Sequence, residues 1–426
     1  MSIKNFPANL KSGFFPAYWL LIAIPVSLAT GLAVALFLAL LDLVTSTRID
    51  NPWLLYCLPF AGIFIWWMYS RYGKNAGAGN NLIIDEIHEP GGGVPLRMTP
   101  LVLITTLITH LFGGSAGREG TAVQMGGSLS QRIGKWMGMD EEDTRIILMM
   151  GIAGGFGAVF GTPIAGTVFA LEVLAIGSMK DFKALIPCAF AAFLSDQVCL
   201  FLGIGHTHYS ISFPFTFSWL LLAQVLAAGA AFGLASRFFS FLIHQIKDTS
   251  GKLFSGAPWL VPFAGGCIVI ALTYLAGTRD YLGLGVYAAA PEGVSIVNAF
   301  TAGGADDFSW LWKIVFTAVT LGMGFKGGEV TPLFFIGATL GHTIAVYSGA
   351  PIDLMAGIGF IAVFAGATNT PIACTLMGVE LFGAEHVVYF GAACLMAYFF
   401  SGHSGIYSAQ RINIPKFGHS IKSNKK

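Results

Sequence analysis

Two carboxylates lie in glycine-rich segments that interrupt long apolar runs. Glu119 belongs to residues 113–120 (GGSAGREG), and Glu329 belongs to residues 327–331 (GGEVT). Ionisable side chains inside apolar segments of this kind are costly, and they usually serve a function. A charged carboxylate competes with an anion for the same hydrogen-bond donors, whereas a protonated carboxylate gives those donors up. Glu119 and Glu329 could therefore couple the movement of an anion to that of a proton.

Each acidic residue also has a structural explanation. Arg118 stands beside Glu119, so the two could form an ion pair that only holds helices together. Glu172 and Glu380 follow apolar stretches at predicted helix ends, where capping or pairing explains a carboxylate at least as well as a transport role does. We assign the coupling role to Glu119 and keep Glu329 as a candidate for it.

Three glycine-rich segments could supply backbone donors to an anion, namely residues 77–81 (GAGNN), 113–120 and 327–331. Backbone N–H groups at helix starts can replace the hydration shell of an anion without placing a bare cation in lipid. Glycine allows the backbone to approach the ion closely. Glycine is also common in the packing of membrane helices, but three such segments in a duplicated sequence favour a binding site.

The duplication is visible in two motifs that recur at nearly the same distance. Residues 162–167 (TPIAGT) precede Glu172, and residues 370–375 (TPIACT) precede Glu380 at the same interval, 208 residues later. The segment around Glu119 recurs around Glu329 after 210 residues. We predict one repeat over about residues 15–205 and a second over about 215–405. A substrate site is then expected at their interface, as in other transporters built from repeats.

The elements that must position these residues are membrane helices. The chain is 55% hydrophobic and only 11% charged, against about 25% charged residues in soluble proteins. Several apolar runs approach the roughly 20 residues that a spanning helix needs, and others are shorter and broken by glycine and proline. We predict an all-α, multi-pass membrane protein with residues 1–426 forming one transmembrane domain. The tail after Phe400 is too short for a C-terminal soluble domain.

Several function classes are disfavoured. The formal net charge of +1 gives no sign of a nucleic-acid partner. The six cysteines lie in apolar surroundings without a CxxC pair and are predicted to be free thiols. No HExxH or aspartyl-dyad motif occurs, and the nine histidines lack metal-ligand spacing, so we predict no enzyme, metal or cofactor. His110 lies near a candidate motif but is predicted to be a packing residue.

Both termini are predicted to be cytoplasmic. Basic residues collect at the ends of apolar spans and crowd the C-terminal tail, as the positive-inside rule requires of cytoplasmic segments. The apolar stretch that begins near Phe14 is longer than the 7–15 residues of a signal peptide core. It is therefore expected to remain as a membrane segment.

The motifs resemble those of the CLC family of chloride channels and anion/proton exchangers. Residues 113–120 resemble the GREGP signature of that family, residues 327–332 (GGEVTP) its GGxFxP motif, and residues 405–409 (GIYSA) the segment with its pore tyrosine. The resemblance covers essentially the whole transmembrane chain. It implies a homodimer whose subunits each hold about 18 tilted and half-length helices in two inverted halves.

The resemblance also implies roles for particular residues. Glu119 corresponds to the outer gating glutamate, which swings into the anion path and carries the proton. Tyr407 corresponds to the inner-gate tyrosine, whose hydroxyl donates to the bound anion. Gly120, Val330 and Thr331 belong to the two segments that face the anion and complete the predicted binding set.

The departures from the chloride pattern are informative. Thr121 replaces the proline of GREGP, Val330 replaces the phenylalanine of GGxFxP, and Val173 stands where the inner proton glutamate should fall. The GSGIP motif has become residues 77–81. An ungapped placement puts Ala78 on its anion-coordinating serine, and a two-residue shift puts Asn80 there. We prefer Asn80 because an amide can donate to an anion.

These changes resemble the bacterial fluoride/proton antiporter branch of the family. Fluoride is small and strongly hydrated, so it needs close, strong donors such as Asn80, Thr331 and Tyr407, and Glu329 could replace the missing inner glutamate. The resemblance predicts fluoride export in exchange for proton entry at a bacterial inner membrane. A chloride/proton exchanger and a passive chloride channel of the same fold remain alternatives. The retained Glu119 argues against a channel, and Asn80 with Val173 argues against chloride exchange.

Overall fold

A computed structural model describes residues 15–179 and 181–416, and almost all of its regular structure is helical. The helices of the first half have the following bounds: α1 Phe15–Asp50, α2 Leu58–Met68, α3 Asn80–His88, α4 Met98–Leu111, α5 Glu119–Met137, α6 Glu141–Phe160, α7 Pro163–Glu172 and α8 Leu185–Phe201. Those of the second half are α9 Trp219–Leu253, α10 Leu260–Ala276, α11 Ser309–Gly322, α12 Val330–Ser348, α13 Ile352–Thr368, α14 Pro371–Phe382 and α15 Val387–Phe400.

Short elements complete the chain. Strands β1 (Ala175–Ile176) and β2 (Arg411–Ile412) pair in parallel, with Ala175 opposite Arg411. Short 3-10 helices occupy Pro52–Cys57, Lys74–Ala78, Phe182–Ala184 and Asn298–Phe300, and a π-helical turn occupies Tyr69–Gly73. The described residues thus hold fifteen α-helices. The family resemblance implied about 18 helices. Segments such as Asn298–Phe300 form only one 3-10 turn in this structure and are not counted among the fifteen.

The helix lengths are those of a multi-pass membrane protein. Six helical spans of the described chain are long and apolar enough to cross a membrane, and two of them, Pro52–His88 and Phe182–Phe201, join consecutive helical elements. Seven other apolar helices are only 10–17 residues long. A helix of 10 residues spans about 15 Å, roughly half of the hydrocarbon layer. The expectation of mixed full-length and half-length helices is therefore confirmed.

Helix α6 illustrates how local sequence sets the helix bounds. The Asp140 carboxylate accepts a hydrogen bond from the Asp143 backbone N–H (2.9 Å), and three acidic residues occupy the first turn. Acidic groups stabilise the start of a helix, where backbone N–H groups are unpaired. The helix ends at Gly161, whose φ of 70° is the left-handed conformation that glycine adopts readily.

The two halves repeat the same packing. Helix α5 packs on α6 as α12 packs on α13, and α1 packs on α8 as α9 packs on α15. The two crossings are also equivalently tight. Where α5 crosses α6, a Cβ on Gly126 would lie 2.1 Å from the Gly151 carbonyl oxygen. Where α12 crosses α13, a Cβ on Gly337 would lie 2.0 Å from the Gly359 carbonyl oxygen. Side chains at these positions would separate the helices, so glycine is required for this close packing.

The repeats are inverted, which residue identity alone did not reveal. Glu172 at the end of α7 accepts hydrogen bonds from backbone N–H groups at the start of α14, and Glu380 near the end of α14 accepts them from the start of α7. Two neighbouring helices that cap each other in this way must run antiparallel. The halves are therefore related by an approximate two-fold rotation that reverses helix direction.

The core is centred on α6 and α13, one from each half. Every side chain from Ile146 to Phe160 is buried, and so is every one from Leu354 to Thr368. Helices that are apolar on all sides belong in the interior of a bundle. The outer helices expose large apolar side chains instead, including Leu21, Phe60, Leu220 and Leu275, as expected of a surface that faces lipid.

Candidate anion and proton site

The site forms where the starts of α5 and α12 meet. The glycine-rich segments before these helices are joined by an antiparallel bridge between Gly117 and Gly328. The Gly117 N–H donates to the Gly328 carbonyl (2.6 Å), and the Gly328 N–H donates to the Gly117 carbonyl (2.8 Å). The bridge brings the first turns of the two equivalent helices together, so their free backbone N–H groups lie close to one another.

The Glu119 carboxylate occupies this junction and is only 1% exposed. Its Oε1 accepts a hydrogen bond from the Thr331 backbone N–H (2.8 Å). Its Oε2 accepts hydrogen bonds from the Thr331 hydroxyl (2.7 Å) and from the Arg118 backbone N–H (3.0 Å). A side chain of the first half thus accepts hydrogen bonds from donors at the start of the equivalent helix in the second half.

Glycine residues make room for the carboxylate. A Cβ on Gly117 would lie 2.4 Å from Glu119 Oε1, and a Cβ on Gly328 would lie 2.7 Å from the same atom. Any larger residue would displace the carboxylate from its donors. Gly120 is equally confined, because its Cβ would lie 3.1 Å from the Gly328 Cα. At this point the glycine-rich motifs therefore allow the Glu119 carboxylate and the two backbone segments to lie close together.

Asn80 lies beside this junction, whereas Ala78 is exposed. Asn80 is the first residue of α3 and follows Gly79, which has a φ of 61°. Its Nδ2 lies 3.3 Å from the position that a Cβ on Gly120 would take. Its Oδ1 is buried and has no hydrogen-bond partner among the described residues. Of the two placements considered for the coordinating position, the structure brings Asn80 to the start of α5.

Glu329 precedes the first residue of α12 and is partly buried. Within the described part of the chain, no hydrogen bond reaches its carboxylate from another side chain. It interacts electrostatically with Glu119 and with Lys326 and Lys247. The Lys326 ammonium lies over the ring of Tyr69, 4.2 Å from its centroid. The Glu329 carboxylate thus lies within electrostatic range of Glu119.

Tyr407 lies on the C-terminal segment that folds back onto the bundle. The Ile406 N–H donates to the Ala367 carbonyl (2.9 Å), and the Ala409 N–H donates to Oδ1 of Asn81 (3.0 Å), the neighbour of Asn80. Tyr407 is buried, and its hydroxyl interacts electrostatically with Glu119 and Glu329. The segment 405–409 is therefore fixed to the start of α3, on which Asn80 stands.

Val330 and Thr331 form the first turn of α12 and are 1% and 2% exposed. Together with Gly120 and the partly buried Asn80 they form a cluster of backbone and side-chain donors beside the Glu119 carboxylate. Such a cluster can hold either a carboxylate or a small anion, because both accept N–H and O–H hydrogen bonds. The Thr331 donors cannot bind the carboxylate and the anion at the same time.

Sequence reasoning missed Lys313, a fully buried lysine near the start of α11. Its ammonium donates to the carbonyls of Tyr281 (3.1 Å) and Gly283 (2.8 Å), and the Gly283 N–H donates to the Gly114 carbonyl (3.2 Å). Lys313 therefore braces the segment that leads to Glu119. A lone lysine at the edge of an apolar run was the available signal.

His110 is buried with its Nε2 at 3.3 Å from the Gly117 carbonyl oxygen, so it packs against the same segment. The six cysteines are free thiols. Among residues 15–179 and 181–416, no group of three or more histidine, cysteine or acidic side chains could hold a metal ion.

Comparisons with known proteins agree with this architecture. Residues 61–402 match the family described as voltage gated chloride channel. A "Chloride/fluoride channel protein" of Pseudomonas syringae pv. tomato is 48% identical over 421 residues, which cover 99% of this chain and 91% of that protein. An "H(+)/Cl(-) exchange transporter ClcA" of Vibrio cholerae is 26% identical over 78% of this chain and 71% of that protein.

Solved structures share the fold. The crystal structure of a CLC-type fluoride/proton antiporter superposes with a TM-score of 0.88 at 33% identity and covers 94% of this chain and 99% of that one. A slow cyanobacterial Cl⁻/H⁺ antiporter gives a TM-score of 0.78 at 20% identity, covering 91% and 96% of the two chains, which shows the fold alone. The resemblance drawn from the motifs is confirmed: this chain belongs to the voltage gated chloride channel (CLC) family of membrane transport proteins.

Proposed function

We propose that this protein exchanges fluoride for protons, so that fluoride leaves the cell as protons enter. The observation that carries the proposal is the position of Glu119, whose carboxylate accepts hydrogen bonds from the Thr331 N–H, the Thr331 hydroxyl and the Arg118 N–H. These donors at the start of α12 are those that an anion would need in order to shed its water.

The exchange follows from competition for these donors. While Glu119 is charged, it holds the Thr331 donors and excludes the anion. When a proton binds a carboxylate oxygen, the side chain loses its charge and its advantage over an anion, so it can leave. The anion then takes the Thr331 N–H and hydroxyl hydrogen bonds. Loss of the proton on the other side returns the charged side chain to the donors, and one cycle moves both species.

Fluoride fits this site because of its hydration. A small, strongly hydrated anion requires short hydrogen bonds to compensate for the water it loses. The Thr331 hydroxyl, the Asn80 amide and the Tyr407 hydroxyl could supply them beside the backbone donors. The names of two similar proteins support fluoride, one called a chloride/fluoride channel protein and the other a fluoride/proton antiporter.

Glu329 is proposed as the second proton-carrying group. Its carboxylate is partly buried, interacts with Glu119, and has Lys326 close by. The position one residue after Glu172, where the chloride exchangers carry their inner glutamate, holds the apolar Val173. A proton that leaves Glu119 therefore needs another acceptor, and Glu329 supports that role.

We further propose a homodimer in the bacterial inner membrane with both termini in the cytoplasm. Helices α8 and α15, which occupy equivalent positions in the two repeats, expose large apolar side chains, among them Phe193, Phe201 and Val388. A second copy or lipid would cover them. The molar mass of the purified protein, after correction for bound detergent, distinguishes a dimer from a monomer.

One liposome experiment tests the transport proposal. Liposomes that contain the purified protein are loaded with fluoride, and a fluoride electrode and a pH electrode record the external solution together. We expect fluoride efflux to be accompanied by proton uptake, so the external pH rises. Fluoride efflux without a pH change would indicate a channel. Equal exchange when chloride replaces fluoride would indicate a chloride/proton exchanger instead.

A further inference from the structure

Lys416 anchors the segment that follows Tyr407 to the helix bundle. Its Nζ donates hydrogen bonds to Asn369 Oδ1 (2.5 Å) and Ser401 Oγ (3.0 Å). It also donates to the Tyr398 carbonyl and lies over the ring of the same residue, 3.8 Å from the centroid. A lysine ammonium has three hydrogen-bond donors, and this pocket therefore uses all of them.

The pocket around this ammonium is formed by the C-terminal ends of two helices. Asn369 follows the last residue of α13, and Ser401 follows the last residue of α15. The carbonyl groups at such ends carry partial negative charge, and the last four of them receive no hydrogen bond from the helix itself. A cation is therefore the group that both helix ends favour, and Lys416 supplies it.

The side chain of Asn369 connects this anchor to Tyr407. Its Oδ1 accepts from the Lys416 ammonium, and its Nδ2 donates to Gln410 Oε1 (2.9 Å). Gln410 donates through its backbone N–H to the Tyr407 carbonyl (3.3 Å) and through its Nε2 to the Thr368 carbonyl (3.0 Å). A continuous series of hydrogen bonds therefore joins Lys416 to the backbone of Tyr407.

The Lys416 ammonium also determines which way the Asn369 amide points. An amide side chain presents an acceptor oxygen on one side and a donor nitrogen on the other, whereas an ammonium can only donate. The ammonium therefore holds the oxygen towards itself and leaves Nδ2 facing Gln410. Asn369 is 1% exposed and has a φ of 59°, a left-handed conformation in which asparagine is enriched. Without the ammonium, the amide could turn over and lose its hydrogen bond to Gln410.

We propose that Lys416 is a positioning residue for Tyr407. Through the Asn369 amide it holds the segment that presents the Tyr407 hydroxyl to the anion path. Tyr407 is buried, and its ring meets that of Phe169 edge-on with the centroids 6.4 Å apart, so a small shift of this segment changes where the hydroxyl points. The effect on the anion rests on the function proposed above, in which the hydroxyl donates to fluoride, whereas the positioning of the side chain does not.

A fluorine label on the tyrosine ring tests the positioning directly. Fluorotyrosine is introduced at position 407 of the full-length protein, and its fluorine resonance is recorded in detergent without added fluoride. Lys416→Met keeps an unbranched side chain but removes the ammonium, so the resonance should shift or split. Arg411→Gln is the matched control, because the exposed ion pair of this arginine with Glu89 lies on the same segment but outside the Asn369 contacts. Its resonance should stay at the wild-type position, and an unchanged resonance in Lys416→Met would overturn the proposal.

A second variant protects the test against misfolding of Lys416→Met. Gln410→Met removes the acceptor of the Asn369 Nδ2 hydrogen bond and leaves the lysine in place. Because it interrupts the same series of hydrogen bonds, it should shift the label at position 407 as Lys416→Met does. A wild-type resonance in Gln410→Met would contradict the proposed route from Lys416 to Tyr407.

Calorimetric titration with fluoride measures the consequence for the anion site. Lys416→Met should weaken fluoride affinity by about fivefold, the effect of misplacing one donor, and Arg411→Gln should change it less than about twofold. In Tyr407→Phe, which already lacks the hydroxyl, Lys416→Met should have no further effect. Additive losses would show that Lys416 only stabilises the bundle, and they would overturn the proposal. If Tyr407→Phe alone keeps the wild-type affinity, the donor role in the proposed function fails, whereas the fluorine resonance still reports whether Lys416 positions the ring.

Discussion

Two pairs of equivalent glutamates differ in whether their contacts are the same in both halves of the molecule. Glu172 accepts from the Ile372 and Ala373 N–H groups (3.1 and 2.8 Å), and Glu380 accepts from the equivalent Ile164 and Ala165 N–H groups (2.8 and 2.7 Å). This pair is reciprocal, and both carboxylates are satisfied. The two-fold relation of the repeats is kept at this contact.

The pair Glu119 and Glu329 breaks that relation. Glu119 takes both donors of Thr331. The residue equivalent to Thr331 is Thr121, and its hydroxyl bonds to that of Thr106 (2.7 Å) rather than to Glu329. A contact that satisfies both partners equally is suited to holding helices together. When only one carboxylate of a pair uses such a contact, the other carboxylate is available for a different role.

The largest effect is expected for Glu119→Gln. A glutamine amide cannot carry a proton, and it no longer competes with an anion through charge, so the ratio of proton to fluoride flux should fall to zero within error. The simultaneous fluoride and pH recording in liposomes measures this ratio. Glu380→Gln is the matched control and should retain the wild-type ratio. Proton pumping by Glu119→Gln would falsify the coupling mechanism.

Glu329→Gln should have the next largest effect. If Glu329 relays the proton, its loss should slow proton flux by on the order of 100-fold, the lower end of what a positioned proton-transfer group contributes. Fluoride binding should be retained, because the Thr331 donors remain. The same liposome recording, combined with a fluoride titration, separates the two quantities. Normal coupling in this variant would reduce Glu329 to a structural residue.

Thr331→Val tests the donors that only one carboxylate uses. The change removes the hydroxyl and keeps the backbone N–H. A hydrogen bond to a charged group contributes about 1.5–3 kcal/mol, so fluoride affinity should weaken by roughly ten- to 150-fold. Thr121→Val is the matched change in the other half and should alter affinity by no more than about twofold. Equal losses in both variants would mean that the site is symmetric.

Asn80→Ala should change selectivity more than rate. Loss of one amide donor of about 1 kcal/mol should lower the fluoride-to-chloride flux ratio by roughly fivefold. The flux ratio in liposomes with equal gradients of the two anions measures this. Ala78→Gly serves as the control and should leave the ratio unchanged. An unchanged ratio in Asn80→Ala would return the coordinating position to Ala78.

The smallest effect on transport is expected for the reciprocal pair. Glu172→Gln keeps one acceptor but places an amide N–H group against the N–H groups of α14, so stability should fall by about 1–2 kcal/mol. The thermal midpoint in detergent should drop by a few degrees while the proton-to-fluoride ratio stays at the wild-type value. A loss of coupling with unchanged stability would show that Glu172 takes part in transport.

The sequence predicted the features that depend on residue type and spacing. The duplication, the helical class, and the glycine-rich segments around Glu119 and Glu329 could all be recognised, because each leaves a pattern along the chain. The open choice between Asn80 and Ala78 depended on register, and the structure places Asn80 beside Gly120.

Features that depend on long-range contact could not be predicted. Nothing near Glu172 in sequence indicates that its partners are Ile372 and Ala373, about 200 residues away. Residue identity likewise did not reveal the inversion of the repeats, which only the family resemblance implied. Lys313 was missed for a related reason. Its acceptors are carbonyl groups of a loop about 30 residues earlier, and backbone carbonyls have no signature in the sequence.

The mutual capping of α7 and α14 has a consequence for the origin of the chain. A carboxylate that caps the same position of an equivalent helix makes the type of contact found in an isologous dimer, where residue i meets j and j meets i. Two separate copies of a half-length ancestor could have satisfied each other in this way before gene fusion. Within one chain the two copies can diverge independently, and here Glu119 lies on the Thr331 donors whereas Glu329 does not.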